Sequence, residues 1–180
     1  MYYVLLAEGF EEIEALTQTD VLRRAGIDVM NVGLSGELIS GAHGISVKCD
    51  ITIDEAVKKN DAEGVILPGG MPGTLNIAAC PSAIALIKKT YDEGKLVAAI
   101  CAAPSVLGSL GRLKGKGCTC YPGFEDRLAG GIIASDKVVI DKNVITSKGP
   151  GTALDFALAL CRYITSKDMS ELSEKMIYKG

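Results

Sequence analysis

The sequence has no excess of positive charge, no long apolar run and only one histidine. Its 180 residues include 19 basic and 22 acidic side chains, which gives a formal net charge of -3. Proteins that bind the phosphate backbone of nucleic acids usually carry an excess of basic residues. The longest apolar stretches, such as LVAAICAAPSVLGSL, are too short and too rich in glycine and proline to span a membrane. We therefore expect neither nucleic acid nor a membrane among its partners.

Signals for targeting, nucleotides and metals are also lacking. The first residues, MYYVLLAEGFEE, turn acidic instead of placing basic residues before an apolar segment, so we expect a cytoplasmic protein. Neither phosphate-binding pattern, G-x-x-x-x-G-K-[ST] or a strand followed by G-x-G-x-x-G, is present. Cys118 and Cys120 form a C-x-C pair without a second pair of ligands at zinc-finger spacing. We expect no cofactor, no metal and six reduced cysteines.

Short apolar segments with strand character alternate with segments of helical periodicity. The strand-like segments are YVLLAE, IDVMNVG, EGVILPGG and KLVAAIC, and between them lie EEIEALTQTDVLRRAG and PSAIALIKKTYDEG. This order predicts one α/β domain over residues 1–180, with a mostly parallel central sheet and helices on both faces. Residues 35–53 and the segment KVVIDKNVITS are predicted to form β-hairpins.

Two helices have a periodicity that assigns residues to the core. The residues of the first helix with the three-to-four spacing of a buried face are Ile13, Leu16, Thr17, Val21 and Arg24. This spacing predicts that they face the sheet, and Gly26 is expected to end the helix. A helix from about Thr152 onward is predicted to bury Cys161.

One cysteine stands at a position typical of a catalytic nucleophile. Cys101 comes directly after an apolar strand and directly before a predicted helix, with small residues Ala99 and Ala103 two positions to either side. A tight strand-to-helix turn with small neighbours is the geometry of a nucleophile elbow. The start of the helix would favour a thiolate and lower the pKa of Cys101. The alternative is a buried structural cysteine at the end of a central strand.

Two other segments carry candidate partners for this thiol. In VILPGGMPG the backbone N–H groups near Gly69 and Gly70 could stabilise an oxyanion, or the glycines could form a plain turn. In GFEEIEAL the carboxyl groups of Glu11 and Glu12 are typical of a helix N-terminus. Glu14 lies one turn further in, where a partly buried carboxyl could stay protonated and donate a hydrogen bond to a thiolate.

Taken together, these segments resemble the ThiJ/PfpI family. The segments that carry the resemblance are LLAEGFEEIEAL, DVLRRAGIDV, VILPGGMPG, AAICAAPSVL and TSKGPGTALDFALAL. The resemblance implies a flavodoxin-like sandwich, a reactive Cys101, a protonated Glu14 beside it, and Gly70 and Ala102 as backbone donors. It places two residues, Tyr121 and Pro150, beside the site. It places two more, Arg24 and His43, at the margin of the site near the subunit interface of a homodimer.

Several functions are compatible with this resemblance. The leading hypothesis is a cysteine-dependent enzyme of glyoxalase or deglycase type, which acts on small reactive carbonyls or their protein adducts without a cofactor. The alternatives are a sensor of oxidative stress that works through oxidation of Cys101, and a chaperone-like protein without turnover. A hydrolase or amidotransferase is disfavoured, because Tyr121 stands where many relatives carry a histidine and His43 is the only histidine in the sequence.

Overall fold

The apolar segments of the sequence form the strands of a central sheet and two small two-stranded sheets, in a computed structural model that describes residues 1–179. The strands are β1 (Tyr2–Leu6), β2 (Val29–Gly33), β3 (Leu38–Ser40), β4 (Ser46–Lys48), β5 (Ile51–Thr52), β6 (Gly64–Leu67), β7 (Leu96–Ile100), β8 (Gly117–Cys118), β9 (Ile132–Ile133), β10 (Val138–Asp141) and β11 (Val144–Ser147). The helices are α1 (Glu12–Arg24), α2 (Ile53–Lys59), α3 (Gly73–Ala79), α4 (Pro81–Asp92), α5 (Pro104–Ser109), α6 (Ala153–Thr165) and α7 (Ser170–Lys175).

The main sheet has seven strands in the order β10-β11-β7-β6-β1-β2-β5. All neighbouring strands are parallel except β10, which runs antiparallel to β11. After β1 the chain adds β2 on one side, and then returns to add β6 on the other side. Ligands of open parallel sheets bind where the strand order reverses in this way, at the carboxyl ends of the strands. The predicted α/β class with a mostly parallel sheet is confirmed.

Helices cover both faces of the sheet because alternate strand residues point to opposite sides. On one face Val4 and Leu6 of β1 pack with apolar residues of α1 and α6. On the other face Tyr3 and Leu5 pack with residues of α2, α3, α4 and α5. The strands are therefore buried on both sides, which explains their nearly continuous apolar sequence.

The short elements agree with the sequence in most places. The segment 35–53 contains the antiparallel hairpin β3–β4, and KVVIDKNVITS forms the hairpin β10–β11. Gly26 has a φ of 74° just after α1, as expected for a left-handed residue that ends a helix. Cys161 is fully buried. No helix within residues 1–179 is long and apolar enough to cross a membrane.

The predicted buried face of α1 is wrong for most of its residues. Ile13 is 55% exposed, Arg24 is exposed, and Leu16 and Thr17 are only partly buried, whereas Val21 is buried as predicted. The buried residues of the helix are Glu12, Glu14, Ala15, Gln18, Thr19, Val21 and Leu22. Polar side chains therefore share the core side of this helix with apolar ones, and Ile13 of the predicted stripe lies on its outer side.

Candidate active site

Three chain segments meet at the carboxyl ends of the strands beside the reversal of strand order. Cys101 follows β7, Gly69 and Gly70 follow β6, and Glu14 lies in the first turn of the helix that follows β1. Because β1, β6 and β7 are neighbours in the sheet, their ends bring these segments together although they are far apart in sequence. The site thus occupies the position at which parallel sheets of this order bind ligands.

Cys101 is held in a strained turn between β7 and α5. Its φ is 65°, a left-handed conformation that residues other than glycine rarely adopt. Its backbone N–H donates to the carbonyl oxygen of Ser147 at 3.0 Å, and its own carbonyl accepts from the N–H of Tyr121 at 2.8 Å. The backbone N–H groups of Gly70 and Ala102 donate hydrogen bonds toward the sulfur. The side chain is partly exposed, so a small reagent can reach it.

Glu14 is the buried partner of this thiol. The residue is 0% exposed, its Oε2 accepts the N–H of Gly69 at 2.8 Å, and the carboxyl group shares a hydrogen bond with Cys101. Burial raises the pKa of Glu14 to about 7, with a smaller contribution from the charge of Glu11, and the hydrogen bonds from Cys101 and Gly69 oppose this rise. A carboxyl group with such a pKa can both give and take a proton near neutral pH.

The sequence led us to expect a lowered pKa for Cys101, and this expectation is wrong when the neighbouring Glu14 is ionised. Burial and then the negative charge of Glu14 raise the pKa of the thiol to about 12, although the N–H groups of Gly70 and Ala102 favour the thiolate. Two acids in contact lose their protons as a pair, so the first proton leaves near neutral pH and the second far above it. Ionisation of Cys101 therefore depends on a proton that stays on Glu14.

The two glycines leave no room for side chains between these groups. A Cβ atom on Gly69 would lie 2.6 Å from the Cβ of Cys101 and 2.7 Å from Oε2 of Glu14. Gly70 has a φ of 89°, and a Cβ atom there would meet the backbone nitrogen of Glu11. The sequence PGG is therefore needed for the close approach of the loop to the thiol and the carboxyl.

Tyr121 and Pro150 belong to segments that border the site. Tyr121 is bonded through its backbone to Cys101, and its ring lies 3.2 Å from the position of a Cβ atom on Gly149. That same position lies 3.9 Å from Oε1 of Glu14. Pro150 follows Gly149 directly and begins a short 3-10 turn, Pro150–Thr152, that leads into α6.

The structure does not bring His43 or Arg24 to Cys101 within one chain. The Nδ1 atom of His43 lies 2.9 Å from Oε2 of Glu12 and 3.5 Å from Oε2 of Glu11, on an exposed turn. Arg24 pairs with Asp20 at the last turn of α1. A helix rises 1.5 Å per residue, so Arg24 lies roughly 15 Å along the axis from Glu14. Within one chain Arg24 therefore lies away from Cys101, and its place at the site margin near a subunit interface stays a prediction.

Two groups of side chains contain potential metal ligands. Cys118 and Cys120 are both buried and unpaired, and the strand that carries the pair, β8, ends at Cys118. Glu11, Glu12 and His43 form the one cluster of three potential ligands in the part of the chain that the structure describes. Glu12 in this cluster already accepts the backbone N–H of His43 at 2.7 Å. Neither group takes part in the arrangement around Cys101.

Gln18 is a buried polar residue near the site that sequence reasoning missed. It lies one turn beyond Glu14 on the same face of α1, is 0% exposed, and donates from Nε2 to the carbonyl oxygen of Ala153 at 3.1 Å. The signal for it was its spacing of four residues from Glu14, which places both side chains on one helix face.

Comparison with known protein sequences gives one family and several relatives. The profile of the DJ-1/PfpI family matches residues 2–163. A glutathione-independent glyoxalase of Caenorhabditis elegans is 39% identical over 159 residues, which cover 87% of this chain and 84% of that protein. A deglycase of Pyrococcus abyssi is 33% identical over 150 residues, which cover 82% of this chain and 89% of that protein. The chain spans about two fifths of the length of two Arabidopsis thaliana relatives, DJ-1 homologues A and B, with which it shares 34% identity.

Solved structures with the same fold cover nearly the whole chain. A cysteine-to-alanine mutant of a DJ-1 superfamily protein from Salmonella typhimurium superposes with a TM-score of 0.95 at 36% identity, over 99% of this chain and 98% of that one. Oxidised DJ-1 of Toxoplasma gondii gives a TM-score of 0.94 at 33% identity, with the same coverage. These similarities confirm the family resemblance drawn from the sequence segments.

Proposed function

Because this chain belongs to the DJ-1/PfpI family, we propose that it is a cysteine-dependent enzyme that acts on reactive carbonyl compounds, of glyoxalase or deglycase type. The observation that carries the proposal is the contact between the partly exposed thiol of Cys101 and the buried carboxyl of Glu14. The names of two relatives, a glutathione-independent glyoxalase and a deglycase, support the same class of reaction.

The proposed reaction begins when the Cys101 sulfur adds to the aldehyde carbon of a substrate such as methylglyoxal. The carbonyl oxygen becomes an alkoxide, and the N–H groups of Gly70 and Ala102, which donate toward the sulfur, would stabilise it. Glu14 gives a proton to this oxygen and thereby becomes a base. The product of this step is a thiohemiacetal.

The second half of the reaction moves a proton within the substrate. Glu14 takes the hydrogen of the former aldehyde carbon as a proton and returns it to the neighbouring ketone carbon, while the hydroxyl proton of the thiohemiacetal passes to the former ketone oxygen. The first carbon is thereby oxidised to a thioester and the second is reduced to an alcohol. Water then hydrolyses the thioester, which releases a 2-hydroxy acid and regenerates the thiol. The balance is one methylglyoxal and one water to one lactate, so no cofactor is consumed.

The test is conversion of methylglyoxal to lactate by the purified protein and three variants. We expect Cys101→Ser and Glu14→Gln each to lower kcat/KM by about 10²-fold or more, since each removes a group that acts in the chemical step. The matched control is Cys80→Ser, because Cys80 is a partly buried thiol that lies outside the site. Equal conversion by all four proteins would refute the proposal.

A second candidate is a sensor of oxidants. The N–H groups of Gly70 and Ala102 could hold the oxygens of an oxidised Cys101, and one structural relative was solved in an oxidised form. Two molecules of peroxide would convert the thiolate to a sulfinate and release two molecules of water. Mass spectrometry after graded peroxide separates the candidates: selective gain of two oxygens on Cys101, with Cys80 unchanged and no aldehyde turnover, favours sensing.

We also propose that the protein acts as a homodimer. Ile13 on the outer side of α1 and Leu38 and Ile45 around the β3–β4 hairpin are large apolar side chains exposed by more than half. Phe10, just before α1, forms a bridge to Gly41 in the loop of this hairpin, so both apolar groups belong to neighbouring surface segments. Such a surface is typical of an interface between subunits.

A further inference from the structure

One buried carboxylate at the start of α1 has hydrogen-bond partners that the candidate site does not use. Glu12 is buried, although acidic side chains in the first turn of a helix are usually in water. Its Oε1 accepts the backbone N–H of His43 at 2.7 Å, and its Oε2 lies 2.9 Å from Nδ1 of His43. The N–H of Ile45 donates to the same Oε1 at 3.4 Å. One side chain therefore holds the turn that joins β3 to β4 at three points.

The carboxylate fits against this turn because residue 41 is a glycine. A Cβ atom on Gly41 would lie 2.3 Å from the carboxyl carbon of Glu12, closer than such atoms approach in proteins. The backbone N–H of Ala42 donates to the carbonyl oxygen of Phe10 at 2.8 Å, and Phe10 forms a bridge to Gly41. The turn 41–45 is thus packed against the segment that leads into α1, without room for a further side chain.

The β3–β4 hairpin depends on such contacts for its position. Its two strands form a sheet of their own and are not hydrogen-bonded to the seven-stranded sheet. A two-stranded hairpin by itself is marginally stable in water. In β3, Ile39 is buried and the carbonyl oxygen of Ser40 accepts the N–H of Gly9 at 2.8 Å. These contacts hold the strand, and the carboxylate of Glu12 holds the turn.

The same hairpin carries part of the surface proposed for a second copy of the chain. Ile45, at the end of the turn, is 54% exposed, and Leu38, at the start of β3, is also exposed. Ile13 directly follows Glu12 on α1 and is exposed to a similar degree. Glu12 is covalently joined to Ile13 and hydrogen-bonded to the N–H of Ile45, so it fixes the position of one apolar residue relative to the other.

We propose that Glu12 is a positioning residue for the homodimer: its carboxylate holds the turn 41–45 on α1 and so presents Ile13 and Ile45 to a second copy of the chain as one preformed surface. A loop that is ordered before association loses less freedom on binding, which gives a tighter complex. In a symmetric dimer each contact occurs twice, so loss of the anchor acts on both halves of the interface. The inference rests on the proposed homodimer and not on the proposed reaction.

The experiment measures the dissociation constant of the dimer by sedimentation over a range of protein concentrations. Glu12→Met keeps a long unbranched side chain and removes both acceptor oxygens, so we expect the dissociation constant to rise at least about tenfold. Glu12→Gln keeps one oxygen for the N–H of His43 and should recover part of the affinity. The matched control is Asp141→Leu, because the Asp141 carboxylate likewise accepts a backbone N–H, that of Gly117 at 2.8 Å, and joins β8 to β10. We expect it to leave the constant unchanged.

Gly41→Ala tests the same anchor without a change in Glu12. The added methyl group would displace the carboxylate from the turn, so the dissociation constant should rise as it does in Glu12→Met. In both variants the amides of His43 and Ile45 should exchange hydrogen faster, while those of the central strands remain protected, which shows release of the turn in an intact fold. If Glu12→Met does not fold, Gly41→Ala decides the question.

An unchanged dissociation constant in Glu12→Met or Gly41→Ala would overturn the inference and leave the homodimer in place. An equal rise in Asp141→Leu would also overturn it, since the effect would then not belong to the hairpin turn. An unsubstituted protein that sediments as a monomer at every concentration would overturn the homodimer, and this inference with it. None of these measurements depends on aldehyde turnover, so failure of the proposed enzymatic function would be recognised separately.

Discussion

Gly69 is the position at which we expect the addition of a single methyl group to disturb the site most. A methyl group there would lie 2.6 Å from Cβ of Cys101 and 2.7 Å from Oε2 of Glu14, closer than such atoms approach in proteins. We predict that Gly69→Ala separates the thiol from the carboxyl and costs about 1–3 kcal/mol of unfolding free energy. Because the charge of Glu14 then raises the pKa of the thiol less, the rate of Cys101 alkylation by iodoacetamide at about pH 8.5 should rise at least about tenfold.

Gly151→Ala provides the control for this prediction. Gly151 lies in the turn that borders the site, has no left-handed φ, and has open space where a Cβ atom would stand. Its alkylation rate and unfolding free energy should remain close to those of the unsubstituted protein. A Gly69→Ala protein that alkylates as fast as Gly151→Ala would contradict the tight contact described for the site.

The buried carboxyl of Glu14 should make stability depend on pH. Its pKa is raised to about 7 in the folded protein from an ordinary value of 4.5, so the fold favours the neutral form. Stability from this group is then fully present below about pH 4.5 and is lost as the pH rises through 7. The loss amounts to up to about 3 kcal/mol at 1.36 kcal/mol for each unit of pKa.

Urea unfolding of the unsubstituted protein and of Glu14→Gln between pH 4.5 and 8.5 measures this loss. The side chain of Gln in Glu14→Gln cannot ionise. The unfolding free energy of this variant should therefore increase relative to that of the unsubstituted protein as the pH rises, mainly between pH 4.5 and 7. Parallel curves would show that Glu14 is not held in its neutral form. Since burial is the largest cause of the raised pKa of Glu14, Cys101→Ser should keep most of the dependence on pH.

For individual residues, the sequence indicates the candidate residues of the site but not how they ionise. Cys101 was identifiable because a strand-to-helix turn with small neighbours lies within one short segment, and Glu14 because it stands one turn into a helix. The pKa of the thiol was not predictable, since it depends on burial by the folded chain and then on the charge of a carboxyl group from another segment. The same holds for Gln18, whose partner Ala153 lies on α6.

Among the secondary-structure elements, the β10–β11 hairpin has a turn residue that does not suit its conformation. Lys142 is exposed and has a φ of 56°, which favours glycine or asparagine. We predict that Lys142→Gly is about 1 kcal/mol more stable to urea than Lys142→Ala, because both variants lose the same side chain and only alanine keeps the Cβ atom. Equal stability of the two variants would show that the left-handed turn does not strain this hairpin.

The hairpins and the parallel strands were predictable because their signals are local, whereas the buried face of α1 was not. A helix that packs on a sheet normally buries its apolar stripe, and the spacing of Ile13, Leu16 and Val21 suggests such a stripe. In the structure α1 packs beside α6 on one face of the sheet, and its buried polar residues Glu14, Gln18 and Thr19 have hydrogen-bond partners on neighbouring segments. Periodicity alone cannot distinguish a core face that contains hydrogen-bonded polar residues.

At the scale of the whole molecule, the exposed side chain of the predicted α1 stripe bears on the proposed homodimer. Ile13 is 55% exposed and Leu38 is 65% exposed. A monomer would leave these side chains in water, and a second copy of the chain would cover them. The candidate site lies at the same end of α1 as Ile13. At this end the N–H of Glu11, just before the helix, donates to the carbonyl oxygen of Gly69 at 3.0 Å. In such a dimer, Arg24 of the partner subunit is the group to test at the site margin.

The last prediction concerns this interface. A lysine in place of Ile13 would bring an unpaired charge into the contact between two copies, whereas on the surface of a monomer it would change stability by no more than about 0.5 kcal/mol. We therefore expect Ile13→Lys to sediment at half the mass of the unsubstituted protein at micromolar concentration, with an unchanged circular dichroism spectrum.

The matched control is Ile132→Lys, because Ile132 is 63% exposed on β9, away from α1 and its hairpin. This variant should retain the mass of the dimer, since the proposed interface does not include β9. If Ile132→Lys dissociates and Ile13→Lys does not, the two copies meet through the β8–β9 surface. The exposed stripe of α1 would then need another partner, and the partner's Arg24 could not reach the thiol.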